Sequence, residues 1–86
     1  MVLTAEEREV IGTRRAAFRT LKRISQERLA ELAAERLGRA LSIKAVYAAE
    51  AGRSVDDEKL RAMAAVLGVP FHLYADPPDP VAGSSR

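Results

Sequence analysis

The sequence contains no cysteine, which excludes a disulfide-bonded scaffold, a zinc site with thiolate ligands and a cysteine nucleophile. No apolar run approaches the roughly 20 residues of a membrane-spanning helix, and we do not expect the acidic start MVLTAEERE to be a signal peptide. His72 is the only histidine, and no glycine-rich phosphate loop is present. We therefore expect a cytoplasmic protein without membrane association, cofactor, metal, small-molecule ligand or catalytic activity.

Basic residues are concentrated in the central part of the chain. The formal net charge is only +2, but residues 8–53 contain eleven Arg and Lys against five Glu. The segments on either side are each net acidic. Such a distribution is typical of a domain that binds a polyanion. An arginine-rich helical surface facing water has the same composition, so charge alone leaves both interpretations open.

Capping residues and the spacing of apolar residues predict five helices. Thr4 and Glu7 have the spacing of a capping box, so helix 1 is predicted to begin there and to run to about Lys22. The predicted buried stripe of helix 1 consists of Val10, Ile11, Ala17, Phe18 and Leu21.

At 86 residues, the chain is expected to form one domain at most.

Two serine-capped helices are predicted at the centre of the chain. Ser25 is the expected N-cap of helix 2, at about Gln26–Leu37, and Ser42 is the expected N-cap of helix 3, at about Ile43–Ala51. Gly52 is expected to end helix 3. Two short helices joined by a turn are the frame of a helix-turn-helix that reads DNA.

The C-terminal part of the chain predicts two more helices and a tail. Helix 4 is expected to be capped by Ser54 or Asp56 and to end at Gly68, and a short helix 5 is expected to follow. Proline and small polar residues then predominate. We therefore expect residues 76–86 to be a disordered tail and residues 1–75 to form the folded domain.

With these elements placed, the chain resembles the Cro and phage-repressor type of helix-turn-helix protein, often called the XRE family. The similarity extends from about Ile11 to Tyr74. It is carried by Ile11-Gly12-Thr13-Arg14, Phe18-Arg19, Ser25-Gln26, Leu29-Ala30, Ser42, Val46, Glu50-Ala51-Gly52-Arg53 and Leu60–Val69. The resemblance implies an all-α, five-helix, lambda-repressor-like domain. It also implies a transcriptional regulator that binds a two-fold-related operator in double-stranded DNA as a homodimer, through helix 3.

The resemblance also implies where DNA would be contacted. Lys44 is expected near the end of helix 3 that enters the major groove, where it can donate to guanine; a phosphate contact or a solvated surface lysine are the alternatives. Gln26 is expected to contact the DNA backbone or an adjacent base pair, the alternative being an ordinary exposed residue at the helix start, and Arg53 is expected to contact a phosphate. The remaining expected contacts are Ser42, Ile43, Tyr47 and Ala48.

The resemblance also implies an internal ion pair, and the apolar residues near the C-terminus suggest a packing role. Arg19 is expected to pair with Glu50, so Glu50 is interpreted as a structural rather than a catalytic carboxylate. Phe71, Leu73 and Tyr74 are apolar residues that either form a dimer interface or close the core.

One face of helix 1 carries three arginines. Arg15, Arg19 and Arg23 lie one turn apart, where their charges repel each other. We expect one of them to be paired internally and the others to face an anion. Arg15 also stands where the family usually has an aliphatic residue.

The central helices depart from the family pattern in length. The stretch from Ser25 to Glu50 is about six residues longer than usual, which corresponds to a helix 2 longer by one to two turns or to an enlarged turn. Helix 3 also offers few hydrogen-bonding side chains. Both features favour the alternative of a protein-interaction module such as an antitoxin or adaptor. Nonspecific architectural DNA binding is intermediate between this alternative and a specific regulator.

Overall fold

The computed structural model describes residues 4–76, which form five α-helices and no strand. The helices are α1 (Ala5–Leu21), α2 (Gln26–Leu37), α3 (Ile43–Glu50), α4 (Asp57–Leu67) and α5 (Phe71–Ala75). The prediction of an all-α protein is confirmed for this part of the chain. The predicted tail lies outside the described residues from position 77 onward. No helix in residues 4–76 is long and apolar enough to cross a membrane.

Local sequence explains where the first three helices begin. Thr4 and Glu7 form a capping box, in which the Thr4 hydroxyl accepts from the Glu7 backbone at 3.0 Å and the Glu7 carboxylate accepts from the Thr4 backbone at 2.9 Å. The hydroxyls of Ser25 and Ser42 each accept a first-turn backbone N–H at 3.0 Å. Asp56 precedes α4 but makes no side-chain capping hydrogen bond.

α2 occupies most of the stretch between Ser25 and the beginning of α3. This helix has 12 residues and ends at Gly38, whose φ of 82° is left-handed. Five residues, 38–42, then lead into α3. A turn between such helices usually has about three to four residues, so the connection is only slightly enlarged. Because α2 continues to Leu37, it packs along α4 over most of its length.

The core lies where α2, α3, α4 and α5 meet, and it is filled mainly by residues with almost no exposed surface. The largest of these are Leu29, Val46, Met63, Leu67 and Tyr74. Half-buried apolar side chains, including those of Phe18 and Phe71, pack around them.

The predicted buried stripe of helix 1 is wrong at three of its five positions. Val10 is 47% exposed, Leu21 is 79% exposed, and Ala17 is exposed as well. The inward side of α1 is instead formed by Ile11 and Arg15. Successive helical residues are about 100° apart, so a stripe through these two residues places Val10 and Leu21 outside it.

The N-terminal half of α1 and the end of α3 approach each other backbone to backbone. A Cβ atom at Gly12 would overlap the carbonyl of Glu50, and one at Gly52 would overlap the carbonyl of Arg8. Gly52 also has a left-handed φ of 77°. Only glycine fits these two positions without displacing a helix. They fix the C-terminal end of α3 against α1.

Candidate nucleic-acid interface

α3 has one buried face and one exposed face. Val46 and Ala49 have no exposed surface, whereas Lys44 and Tyr47 lie one turn apart on the exposed side. Within residues 4–76, neither the Lys44 ammonium nor the Tyr47 hydroxyl has a hydrogen-bond or ion-pair partner. The outer face of α3 therefore offers one cation and one phenol to a partner.

The other residues of α3 and its N-cap that are expected to contact DNA either have a structural role or are only partly exposed. The Ser42 hydroxyl is occupied as the N-cap of α3. Ile43 is half-buried and packs against the core, so it anchors the start of the helix. Ala48 is half-buried. Of the α3 residues expected at DNA, Lys44 and Tyr47 therefore have the most accessible functional groups.

A carboxylate at the end of α3 joins three helices. Glu50 Oε2 accepts from Arg19 Nε at 2.6 Å, and Glu50 Oε1 accepts from Arg19 Nη2 at 3.2 Å. Gln26 Nε2 donates to the same Oε1 at 3.0 Å. The Arg19 guanidinium also donates to the carbonyl of Ile24 at 2.9 Å. The network fixes the beginning of α2 and the end of α3 relative to α1.

Gln26 thus has an internal partner that sequence reasoning did not anticipate. One N–H of its amide is directed to Glu50. The amide has a second N–H and a carbonyl oxygen, and the side chain is half-buried rather than buried. Its contact with a DNA phosphate stays a prediction.

Arg53 is exposed in the connection that follows α3 and shares a shallow groove with Arg8 of α1. Thr13 and Ala51 also line this groove. Sequence reasoning did not single out Arg8, because 45 positions separate the two arginines in the chain. The close approach at Gly52 is what brings them to one surface.

Two further arginines form ion pairs on the surface of α2 and its following loop. Arg28 pairs with Glu31 of the same helix at 3.0 Å. Arg39 pairs with Glu58 of α4 at 2.8 Å, not with an acidic residue of α2. Exposed pairs of this kind contribute little to stability, so neither arginine is committed to its partner.

Arg15 is the one buried charged residue among residues 4–76, with 4% of its surface exposed. Its Nε donates to the carbonyl of Tyr74 at 2.8 Å and its Nη1 to the carbonyl of Ala49 at 2.9 Å. Burial lowers the pKa of Arg15, yet a guanidinium remains charged in proteins. Since Arg19 is also paired internally, two arginines of the α1 row are engaged, not one as predicted. Arg23 is exposed, with a left-handed φ of 60°.

The apolar residues near the C-terminus mostly close the core. Tyr74 has no exposed surface, and its hydroxyl donates to Met63 Sδ at 3.4 Å. Phe71 is half-buried under the Arg61 guanidinium, which lies 4.1 Å from the ring centre. Only Leu73, 43% exposed, is accessible among the three residues expected at a dimer interface. Burial of Tyr74 supports the alternative that these residues close the core, and a dimer interface at this end of the chain stays a prediction.

The described residues contain no group of three or more histidine, aspartate and glutamate side chains that could hold a metal ion. Together, the fold and this surface define an all-α protein whose third helix exposes Lys44 and Tyr47. The scan against models of protein families matched nothing, and neither the search of curated proteins nor the search of solved structures found a match.

Proposed function

We propose that this protein is a helix-turn-helix DNA-binding regulator of the lambda-repressor-like type, in which α3 reads the major groove. The observation that carries the proposal is the outer face of α3. Lys44 and Tyr47 are exposed one turn apart and have no partner in residues 4–76, while the opposite face of the same helix is buried. A helix held in this way can enter the groove without rearrangement.

The surroundings of α3 support contacts with the DNA backbone. Gln26 lies at the first position of α2, where backbone N–H groups without intrahelical partners favour an anion. Arg53 lies three residues beyond the end of α3 and lines a groove together with Arg8. Phosphate contacts of this type position a protein on the duplex, and base contacts supply its specificity. In this proposal Lys44 is the base-reading residue.

The proposal includes binding as a homodimer to a two-fold-related operator. A dimer repeats the reading helix on successive turns of the duplex, which increases both affinity and the length of sequence read. In this proposal the protein regulates transcription by binding DNA and catalyses no reaction.

A protein-interaction module is the second candidate, and the composition of α3 favours it. The exposed face carries one ammonium group and one phenol, whereas base recognition usually uses bidentate side chains such as Arg, Asn or Gln. Exposed Tyr47 is also a residue type enriched in protein interfaces.

A salt titration separates these candidates. For about four to six phosphate contacts, the slope of log K against log salt is expected to be roughly −4 to −5 per monomer. Fluorescence anisotropy with random duplex DNA at several salt concentrations measures this slope. No binding, or a slope near zero, would exclude DNA as the partner and leave the interaction module.

Selection of bound duplexes from a random pool then separates a specific regulator from an architectural protein. An enriched two-fold-related motif is expected. Recovery of unenriched sequences despite strong salt dependence would support nonspecific binding instead.

A further inference from the structure

The buried guanidinium of Arg15 joins the ends of two helices that are distant in sequence. It donates to the carbonyl of Ala49 in the last turn of α3, and to the carbonyl of Tyr74 in the last turn of α5. A longer contact, 3.4 Å, connects Nη2 to the carbonyl of Ala75. Carbonyls in the last turn of a helix lack intrahelical partners and lie at the negative end of the helix dipole. One cation thus caps α3 and α5 together.

No ion pair among residues 4–76 includes Arg15. Its charge is therefore compensated by helix carbonyls and by the face of the Tyr74 ring, 5.3 Å from the guanidinium carbon. A buried charge that loses its hydrogen-bond acceptors is costly. If α5 left its position, Arg15 would retain only Ala49 as a short-range acceptor.

α5 depends on such contacts because it has only five residues. A helix of this length does not persist without tertiary packing. Its anchors are the buried Tyr74 ring, the hydrogen bonds from Arg15, and a hydrogen bond from Arg14 to the carbonyl of Asp76. α5 and the end of α3 therefore share Arg15 as an anchor, and the neighbouring Arg14 holds the residue that follows α5.

We propose that Arg15 is a positioning residue that makes the orientation of the α3 C-terminus dependent on the docking of α5. The consequence for DNA rests on the proposed function: docking of α5 would add, through Arg15, to the contacts of Gly52 and Glu50 that hold Arg53 in place. Displacement of α5 would then weaken DNA binding without any change in the residues that contact DNA.

The coupling can be measured in the free protein by amide hydrogen exchange. The backbone N–H groups of Gly52 and Arg53 close α3 through hydrogen bonds to Ala49 and Ala48 at 3.1 and 2.9 Å, so their exchange rates report on the end of α3. The variant Tyr74→Leu loosens α5 by removing the ring that packs beside Arg15 and Phe18 of α1, and it changes no residue of α1 or α3. We expect it to speed exchange at Gly52 and Arg53 by at least about tenfold, relative to amides at the centre of α2.

The decisive comparison is the same substitution in an Arg15→Met background. Methionine keeps much of the side-chain length but cannot bridge the two helices. The expected result is that Tyr74→Leu no longer affects exchange at Gly52 and Arg53 beyond its effect on α2. An equal effect in both backgrounds, or none in either, would overturn the proposal. Arg15→Lys tests the bridge separately from charge, and we expect it to behave like Arg15→Met.

DNA titrations form a second arm, performed at a temperature where each variant is folded. Tyr74→Leu is expected to weaken binding about fivefold or more, and Arg15→Met should remove this dependence. Arg36→Met removes an exposed positive charge from α2 and is the matched control for the loss of charge in Arg15→Met. If the wild-type protein does not bind DNA, the proposed function fails while the exchange experiment still decides the coupling. If the wild type binds but Tyr74→Leu has no effect on affinity, the role of α5 in binding is refuted.

Discussion

Arg19 and Glu50 form a two-point ion pair that connects the last turn of α1 to the last residue of α3. The shorter contact joins Nε to Oε2 at 2.6 Å, and only 7% of the Glu50 side-chain surface is exposed. Gln26 donates to the same carboxylate at 3.0 Å. Because the pair is largely shielded from water, removal of one partner leaves the other charge without compensation.

The variant Glu50→Ala is therefore expected to lower the free energy of unfolding by about 2–4 kcal/mol. Chemical denaturation followed by circular dichroism measures the change. The double variant Arg19→Met/Glu50→Leu should cost less than Glu50→Ala alone, because no unpaired charge remains. A Glu50→Ala midpoint indistinguishable from the wild type would show that the pair contributes nothing to stability.

Lys44 and Arg53 are expected to affect DNA binding in different ways. Lys44→Ala should weaken binding to a selected site more than to random duplex, by roughly 1–3 kcal/mol of discrimination at one or two base pairs. Arg53→Ala and Gln26→Ala should weaken binding to both sequences alike, since phosphates carry no sequence information. Parallel anisotropy titrations at fixed salt measure all three. An equal loss on both duplexes for Lys44→Ala would reassign Lys44 to a phosphate contact.

Arg23 is strained, and relief of this strain should stabilise the protein. Its φ of 60° is a conformation that costs a residue with a side chain roughly 1 kcal/mol or more. Arg23→Gly should raise the free energy of unfolding by about 0.5–1 kcal/mol, after allowance for the greater freedom of glycine in the unfolded chain. Arg23→Ala is the control, because it removes the guanidinium but keeps the strain. Equal stabilisation by both variants would assign the effect to charge instead.

Alkaline pH should destabilise the protein through Tyr74. Burial raises the pKa of its hydroxyl to about 12, an effect that the nearby Arg15 cation partly opposes. The unfolded side chain titrates near 10, so the unfolded state loses its proton first. The contribution of Tyr74 is complete below about pH 10 and declines by at most roughly 2–3 kcal/mol towards pH 12. Denaturation of wild type and Tyr74→Phe between pH 9 and about 12 tests this, and the variant should show the weaker pH dependence. An equal pH dependence of the free energy of unfolding in the two proteins would contradict this expectation.

Helix positions could be predicted because the signals for them are local. Thr4, Ser25 and Ser42 each supply a hydroxyl to the first turn of the helix that follows, and Gly38 and Gly68 each end a helix in the left-handed conformation. These interactions involve residues at most a few positions apart. They can therefore be inferred without knowledge of how the helices pack.

The buried side of α1 was mispredicted because hydrophobicity alone does not determine burial. Val10 and Leu21 are apolar but face solvent, whereas Arg15 is charged and buried. Arginine can occupy this position only because the carbonyls of Ala49 and Tyr74 converge on it. Those acceptors come from parts of the chain that are 34 and 59 residues away.

The sequence by itself determined the all-α class, the five helices and the concentration of positive charge in the central segment, because capping, helical periodicity and composition depend on neighbouring residues. Tertiary structure decided which of these charges remain available to a partner. Packing of α1 against α3 and α5 engages Arg15 and Arg19 internally, while Lys44 and Arg53 stay exposed. The physical reason is that burial and hydrogen bonding of a side chain depend on groups brought together from distant positions, which no local pattern specifies.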